Sequence, residues 1–468
     1  MKDINVSEYL YFQQVDAGND IHIGWNRFFP TIFILNRFAL ELLEAIKNKK
    51  KIDHTDETRF FFKELFTYKF IYDTETDRSK DDFLKMIDHR LSLVKEGGDG
   101  FYRQDAAYDE MGIFTDECNL ACSYCVNQYK RKHSPVKKSF GERLEIVNKC
   151  IDQFLSRALA ETSQPVSIFF NGGEILTEWE TVKAVVCGLS ERYKGVSFEF
   201  EMNTNLTLLT EEIAEFLCRH NFKVNISIDG YRGAHDRTRK YHNGKGSFDD
   251  LLGKLEIYRE RCKEKPVNMF QGTIEYVDGF NPEEVYEMEN RGFLNARLAP
   301  NLLNVSEEDA VRKAELMGKF LELNKRHRLQ VTELFFANAK KRINQDDYRF
   351  SFNCRGLSCL PELALYLNIS ALRLSHICVY VPEASRSLEA LEYDIYNRKL
   401  WEVSYRFIKE RVEALKKYCL DCHLVGLCSG GCIYTGLDNE NQPNKAACAF
   451  QKKLWSLYID KVYRDGSE

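Results

Sequence analysis

Between residues 106 and 300 the chain repeats one pattern: a short β-rich apolar run, then an amphipathic stretch. The runs are EMGIFTDE, PVSIFFNGG, FEFEMNTN, FKVNISIDG, VNMFQGTIEY and ARLAPNLL. Stretches such as ERLEIVNKCIDQFLSRAL and TEEIAEFLCRH separate them, with apolar residues at helical spacing. Strands joined through helices pair in parallel, with right-handed crossovers. Six such units predict an incomplete β/α barrel rather than a closed eight-stranded one. Chemistry in such barrels sits at the C-terminal ends of the strands. Polar clusters follow the strands here: CNLACSYC (118–125), NGGE (171–174), NTN (203–205) and SIDG (227–230).

Cysteine is the compositional outlier, with 15 residues. The first residues, MKDINVSEYLYFQQ, lack the charged head and apolar run of an export signal, so a cytoplasmic location is expected. Disulfides are rare in a reducing compartment, and clustered thiols there point to metal. Cys150, Cys187, Cys218 and Cys262 stand alone on predicted helices and read as small buried hydrophobes. The other eleven fall into two groups, at 118–125 and 354–448. Cys118, Cys122 and Cys125 are three thiols where a closed zinc site needs four ligands. His133 could complete a zinc site only by folding back. Three thiolates on a [4Fe–4S] cube leave one iron open to an external ligand. CLDCHLVGLCSGGC (419–432) has the spacing C-x2-C-x5-C-x3-C, with Cys448 beyond it and Cys354, Cys359 and Cys378 before it. Those eight thiols suffice for two fully ligated clusters; a zinc ribbon over 419–432 is the alternative.

CxxxCxxC in the loop after the first strand of a partial barrel resembles the radical S-adenosylmethionine (SAM) superfamily. FFNGGE (169–174) and ISIDG with HDRTR (226–239) resemble further segments of that family. The resemblance implies a [4Fe–4S] cluster on Cys118, Cys122 and Cys125, with the amino acid part of SAM on the open iron. It implies SAM contacts at Gly172, Gly173, Glu174, Ser227 and Arg239, with Ser227 on the ribose and Arg239 on the methionine carboxylate; Tyr124 could cover the adenine or pack locally, and Asn205 could line the cofactor site or cap a helix. A guanidinium suits a carboxylate because its donors form a planar fork. The later cysteines resemble the SPASM extension of peptide-modifying radical enzymes. By that resemblance one auxiliary cluster uses Cys354, Cys359, Cys378 and Cys432, and the other Cys419, Cys422, Cys428 and Cys448. Two departures stand out. Arg373 occupies the place of a family glycine five residues before Cys378. Val379 stands where sulfatase-maturing relatives carry a basic Asp.

Residues 1–105 read as a small β-hairpin (YLYFQQVD and DIHIGWN around AGND), a third strand (TIFILN) and helices, a winged-helix-like plan. KEGGDG (95–100) reads as a linker. The region resembles the PqqD-like domain that captures a leader peptide by adding it as a strand to a sheet edge. Three domains are therefore expected: recognition over 1–105, the partial (β/α)6 barrel over 106–305, and a bridging helix with the cysteine-rich iron–sulfur domain over 306–468. A net charge of −5 and the lack of a basic recognition helix argue against nucleic acid. No apolar run reaches the length of a membrane span.

The expected activity is that of a radical SAM maturase acting on a ribosomally made precursor peptide with a leader, using three [4Fe–4S] clusters, SAM and an electron donor such as flavodoxin or ferredoxin. Thioether formation, carbon–carbon crosslinking and epimerisation remain open as outcomes. A formylglycine-forming sulfatase maturase, disfavoured by Val379, and a non-catalytic zinc-binding module are the alternatives.

Overall fold

The computed structural model describes residues 4–29, 31–53, 55–96, 110–125, 136–161, 165–263, 267, 269–333, 365–375, 385–428 and 442–466. The N-terminal region starts with β1 (Asn5–Val6), β2 (Leu10–Asp16), β3 (Ile21–Asn26) and β4 (Phe33–Leu35), and β5 (Ile71–Tyr72) follows two helices later. β2, β3 and β4 form an antiparallel sheet in that order, and β5 pairs with β1. The helices are Arg37–Lys47, Asp56–Thr67 and Ser79–Glu96. Asn36 caps the first by accepting from the Ala39 amide, and Thr55 caps the second from the Thr58 amide, which satisfies amides left bare at a helix start. The expected hairpin, third strand and helices are present, and β5 pairs back to β1. The linker residues 97–100 lie outside the described residues.

The six expected runs form β6 (Glu110–Thr115), β7 (Val166–Gly172), β8 (Phe198–Thr204), β9 (Lys223–Ser227), β10 (Met269–Ile274) and β11 (Asn295–Pro300). They lie side by side and parallel. The sheet is larger than six strands. β12 (Gln330–Glu333) adds parallel to β11 at one edge, and β13 (Leu365–Asn368) adds parallel to β6 at the other. β14 (Arg373–Ser375) and β15 (Ser385–Ser387) continue antiparallel beyond β13. β12 to β15 have three or four residues each, too few to carry a readable periodicity.

Burial drives the layering. Met111, Ile113, Ile168, Phe170, Met202 and Ile226 are fully enclosed between sheet and helices. Each such side chain stabilises the fold by about 1.5–3 kcal/mol relative to exposure. The crossover helix Glu211–Arg219 shows how local sequence sets this up: Thr210 caps it, Glu211 and Glu212 sit at its positive end, and Ile213, Ala214, Phe216 and Leu217 face the core. Ser306 caps Glu307–Leu323 by accepting from the Asp309 amide, and the last described helix is Lys445–Gly466.

Two lone-cysteine expectations need correction. Cys218 and Cys262 lie side by side, their Cα atoms 5.7 Å apart, where the end of Glu211–Arg219 meets the cap of Phe248–Arg261. They lie 44 residues apart, and only the packing of neighbouring crossover helices brings them together. Cys150 is fully buried and Cys187 partly so, as read from the sequence. Arg373 does not prevent the β13–β14 hairpin; its Nε donates to Ser385 Oγ at 2.9 Å across the next strand pair. No described helix is long and apolar enough to cross a membrane.

Candidate functional site

The C-terminal ends of β6 to β10 converge on one rim. The cysteine loop leaves β6 at Thr115 and is held from two sides. On one side, the amides of Gly173 and Glu174 donate to the carbonyls of Thr115 and Glu117, at 2.7 and 2.8 Å. On the other, the amides of Ala121 and Ser123 donate to Lys240 and Thr238, at 2.6 and 3.0 Å. Backbone bonds thus place CNLACSYC against the segment that carries Arg239.

The double glycine is explained by this contact. Gly172 has φ +128, and a Cβ there would lie 2.3 Å from the Thr115 carbonyl oxygen. A Cβ on Gly173 would lie 2.3 Å from the Glu117 carbonyl oxygen. The close approach that the glycines permit is made by the chain's own cysteine loop.

Glu174 is 1% exposed, and its carboxylate meets donors inside the protein. Oε1 accepts from the Leu176 amide at 3.0 Å and from Thr204 Oγ1 at 2.7 Å; Oε2 accepts from the Asn205 amide at 2.6 Å. Burial raises its pKa, and these donors oppose the shift. Asn205 is equally committed. Its Nδ2 donates to Asn119 Oδ1 at 3.0 Å, and its Oδ1 accepts from the amide and the hydroxyl of Thr207. Asn119 stands next to Cys118, so the end of β8 grips the cysteine loop. Both residues therefore brace the rim. Asn203 bonds sideways, accepting from Asn225 Nδ2 at 2.9 Å.

Ser227 ends β9 half-buried, and no side-chain hydrogen bond to a described residue engages its hydroxyl. Arg239 is nearly buried, and its Nε donates to Asp229 Oδ1 at 2.9 Å. Burial would lower its pKa, but Asp229, Tyr124 and Cys122 together outweigh that and keep it charged. Its guanidinium carbon lies 5.6 Å from the centre of the Tyr124 ring. Tyr124 donates to Asp229 Oδ2 at 2.7 Å. Arg297 is exposed on β11.

Cys118 and Cys122 feel the neighbouring thiols of the loop electrostatically. Burial pushes Cys118 up to about 12, with the Leu120 amide opposing and Cys122 and Cys125 adding to the rise. Burial pushes Cys122 up to about 11, with Arg239 opposing. Buried thiols grouped this way ionise only against a compensating cation, which suits iron ligands. Among the described residues no three His, Cys, Asp or Glu side chains converge on a point where one metal ion could sit. A cubane cluster is wider than an ion, and its ligands stand correspondingly farther apart. His133 lies outside the described residues.

Cys419, Cys422, Cys428 and Cys448 form a second group. Cys419 caps the helix Arg398–Tyr418, Cys428 ends the short turn Val425–Cys428, and Cys448 lies in Lys445–Gly466. Burial pushes Cys419 up to about 11 and Cys428 up to about 12, and the neighbouring thiols add to both shifts. Cys354, Cys359, Cys378, Cys432 and Val379 lie outside the described residues.

The sequence reading passed over Asp229, inside the quoted SIDG. It is 2% exposed and accepts from four donors. The sequence held one signal for it, a carboxylate at the end of a strand whose neighbours were already read as site residues.

Residues 113–291 match the family model for the Radical SAM superfamily. The serine-type anaerobic sulfatase-maturating enzyme of Bacteroides thetaiotaomicron is 30% identical over 36% of this chain and 38% of its own length. The radical SAM cyclopropyl synthase TigE of Paramaledivibacter caminithermalis is 26% identical over 32% of each chain. The chain spans 38% to 46% of the length of the first three curated relatives it matches. A solved structure described as native anSMEcpe with bound AdoMet and Cp18Cys peptide shares the fold, with TM-score 0.58 and 18% identity over 76% of this chain and 99% of that one.

Proposed function

The chain carries a radical SAM domain at residues 113–291, and from that premise we propose that it is a peptide maturase that abstracts a hydrogen atom from a ribosomally made precursor. One observation carries the proposal: backbone bonds set the loop of Cys118, Cys122 and Cys125 beside Arg239 at the C-terminal rim of a parallel sheet. Three thiolates there would hold a [4Fe–4S] cluster. Bound there, such a cluster would supply one electron for reductive cleavage of the SAM sulfonium.

The chain's own residues bind and orient. The Nη edge of Arg239 would take the methionine carboxylate in a planar fork. The Ser227 hydroxyl would meet the ribose, and the Tyr124 ring would flank the adenine. Glu174 and Asn205 would act on SAM through the cysteine loop they brace. Gly172 and Gly173 let that loop pass close enough to be braced.

Cys419, Cys422, Cys428 and Cys448 would hold an auxiliary cluster, a reading supported by their mutual electrostatic influence. Cys354, Cys359, Cys378 and Cys432 would hold a second one. The edge of the β2–β3–β4 sheet would take a leader peptide as an added strand. Flavodoxin or ferredoxin would deliver the electron. A peptide substrate is supported by one solved neighbour of the same fold, which carries a bound peptide.

The sulfatase-maturating relatives favour a second reading, in which a Cys or Ser of a sulfatase peptide becomes formylglycine. Coexpression separates the two. A short peptide encoded beside this gene should change mass with the intact protein and stay unchanged with Cys122→Ala. Formylglycine in a sulfatase peptide, with no change in the neighbouring peptide, would replace the first reading with the second.

A further inference from the structure

We propose that Asp229 is a positioning residue for SAM binding: it locks the guanidinium of Arg239 and the cysteine loop into one rigid unit. The inference rests on the reading of Arg239 as the group that takes the methionine carboxylate.

Asp229 follows β9 and is 2% exposed. Its Oδ1 accepts from Arg239 Nε at 2.9 Å and from the Thr273 amide at 2.8 Å. Its Oδ2 accepts from the Tyr124 hydroxyl at 2.7 Å and from Thr238 Oγ1 at 2.8 Å. A carboxylate offers about four lone-pair directions, and four donors occupy them. Asp229 therefore has no acceptor capacity left for a ligand, and it acts through the groups it holds.

The choice of nitrogen matters. A guanidinium presents its donors in a rigid plane. Asp229 engages Nε, so the Nη edge is the one left facing away from it. Fixing the Nε side fixes the plane and the direction in which a carboxylate can be received. Through Oδ2 the same carboxylate holds Tyr124, which stands between Cys122 and Cys125. The cation and the cysteine loop cannot shift independently while both bonds hold.

A second path secures the arginine by its backbone. The amide of Asp229 donates to His235 Nδ1 at 3.4 Å. His235 Nε2 lies 3.0 Å from Ser247 Oγ, which donates to the carbonyl of Arg239 at 2.9 Å. With Nδ1 accepting, the proton of the neutral ring is on Nε2 and points at Ser247. His235 and Ser247 are each 0% exposed. Asp229 thus holds Arg239 at both ends, by side chain directly and by main chain through two buried groups.

The test compares the unaltered protein with Asp229→Asn and Ser247→Ala, all purified without air. Iron per chain reports cluster loading. The change in the electron paramagnetic resonance spectrum of the reduced cluster on titration with SAM reports affinity and the geometry at the iron. Asp229→Asn should weaken SAM binding at least tenfold in the cluster-loaded fraction and alter the SAM-bound spectrum. Ser247→Ala should weaken it severalfold at unchanged iron. A merely structural role would lower iron and melting temperature while leaving the affinity of the loaded fraction as it was, and that result would overturn the inference. If Asp229→Asn does not fold, Ser247→Ala decides, and unaltered affinity there overturns the inference. Failure of the unaltered protein to load iron or respond to SAM would overturn the underlying reading, and this inference with it.

Discussion

The indole nitrogen of Trp25 donates a hydrogen bond of 2.7 Å to the main-chain carbonyl of His423. That bond ties β3 to the segment carrying Cys419, Cys422 and Cys428. Tyr11 on β2 stacks on the His423 ring, 4.3 Å between centroids. The Gly426 amide donates to the Arg27 carbonyl at 2.7 Å, and a Cβ at Gly426 would lie 2.5 Å from Phe28 main chain. The N-terminal sheet is therefore built into the wall of the second cysteine group.

Trp25 is 1% exposed, so its truncation opens a cavity at this joint. Trp25→Ala should cost about 3–5 kcal/mol. Trp25→Phe keeps most of the packing but strands the His423 carbonyl, and should cost about 1–3 kcal/mol. Urea unfolding of the intact chain checks both. An unchanged midpoint in the alanine variant would show that the joint does not couple the two regions.

Gly173→Ala should displace the cysteine loop, because the added carbon meets the Glu117 carbonyl oxygen at 2.3 Å, a backbone atom with nowhere to rotate. Overpacking of this kind costs about 1–3 kcal/mol. Iron bound at the loop should fall with it, as read by iron per chain after anaerobic purification. Full iron loading in this variant would contradict the account of the double glycine.

Acid should destabilise the protein through His235. The ring is fully buried, and burial lowers its pKa from 6.5 to about 3; Asp229 opposes this shift and Arg239 adds to it. A depressed folded pKa means that the unfolded chain takes up a proton between pH 6.5 and 3 that the folded chain refuses. The contribution of His235 is thus complete above pH 6.5 and is lost as pH falls toward 3, by about 5 kcal/mol in all. Denaturant midpoints between pH 7 and 4 measure it, and His235→Asn should flatten that limb. An equal slope in the variant would assign the acid sensitivity to other groups.

Cys448→Ala should remove one auxiliary cluster and spare the loop at 118–125. Iron should drop from about twelve to about eight per chain, with acid-labile sulfide in step. SAM cleavage by dithionite-reduced protein should persist. Loss of all iron would mean that the two cysteine groups assemble together. Near-stoichiometric zinc with negligible iron in the unaltered protein would establish the zinc-module alternative.

Much of the site was legible because short motifs carry their own geometry. The three loop cysteines, the double glycine and the polar ends of the strands lie within a few residues of one another or follow a strand directly. The residues that hold them were not legible in the same way. Asp229 meets Tyr124 from 105 positions away and Thr273 from 44, and no local pattern marks such a pair. Gly172 and Gly173 looked like an approach for a ligand; the structure spends that space on the chain's own loop. Cys218 and Cys262 looked solitary because helix neighbours across a sheet are invisible in a linear reading.

By itself, the sequence determined the parallel β–α order and the close spacing of the clustered thiols, since hydrophobic period and residue spacing act over a few residues. Only the tertiary structure decided that β12 and β13 extend the sheet, that Glu174 and Asn205 brace the cysteine loop, and that Trp25 meets His423. Those contacts join segments far apart in the chain, and the packing of whole elements, not local preference, determines which of them meet.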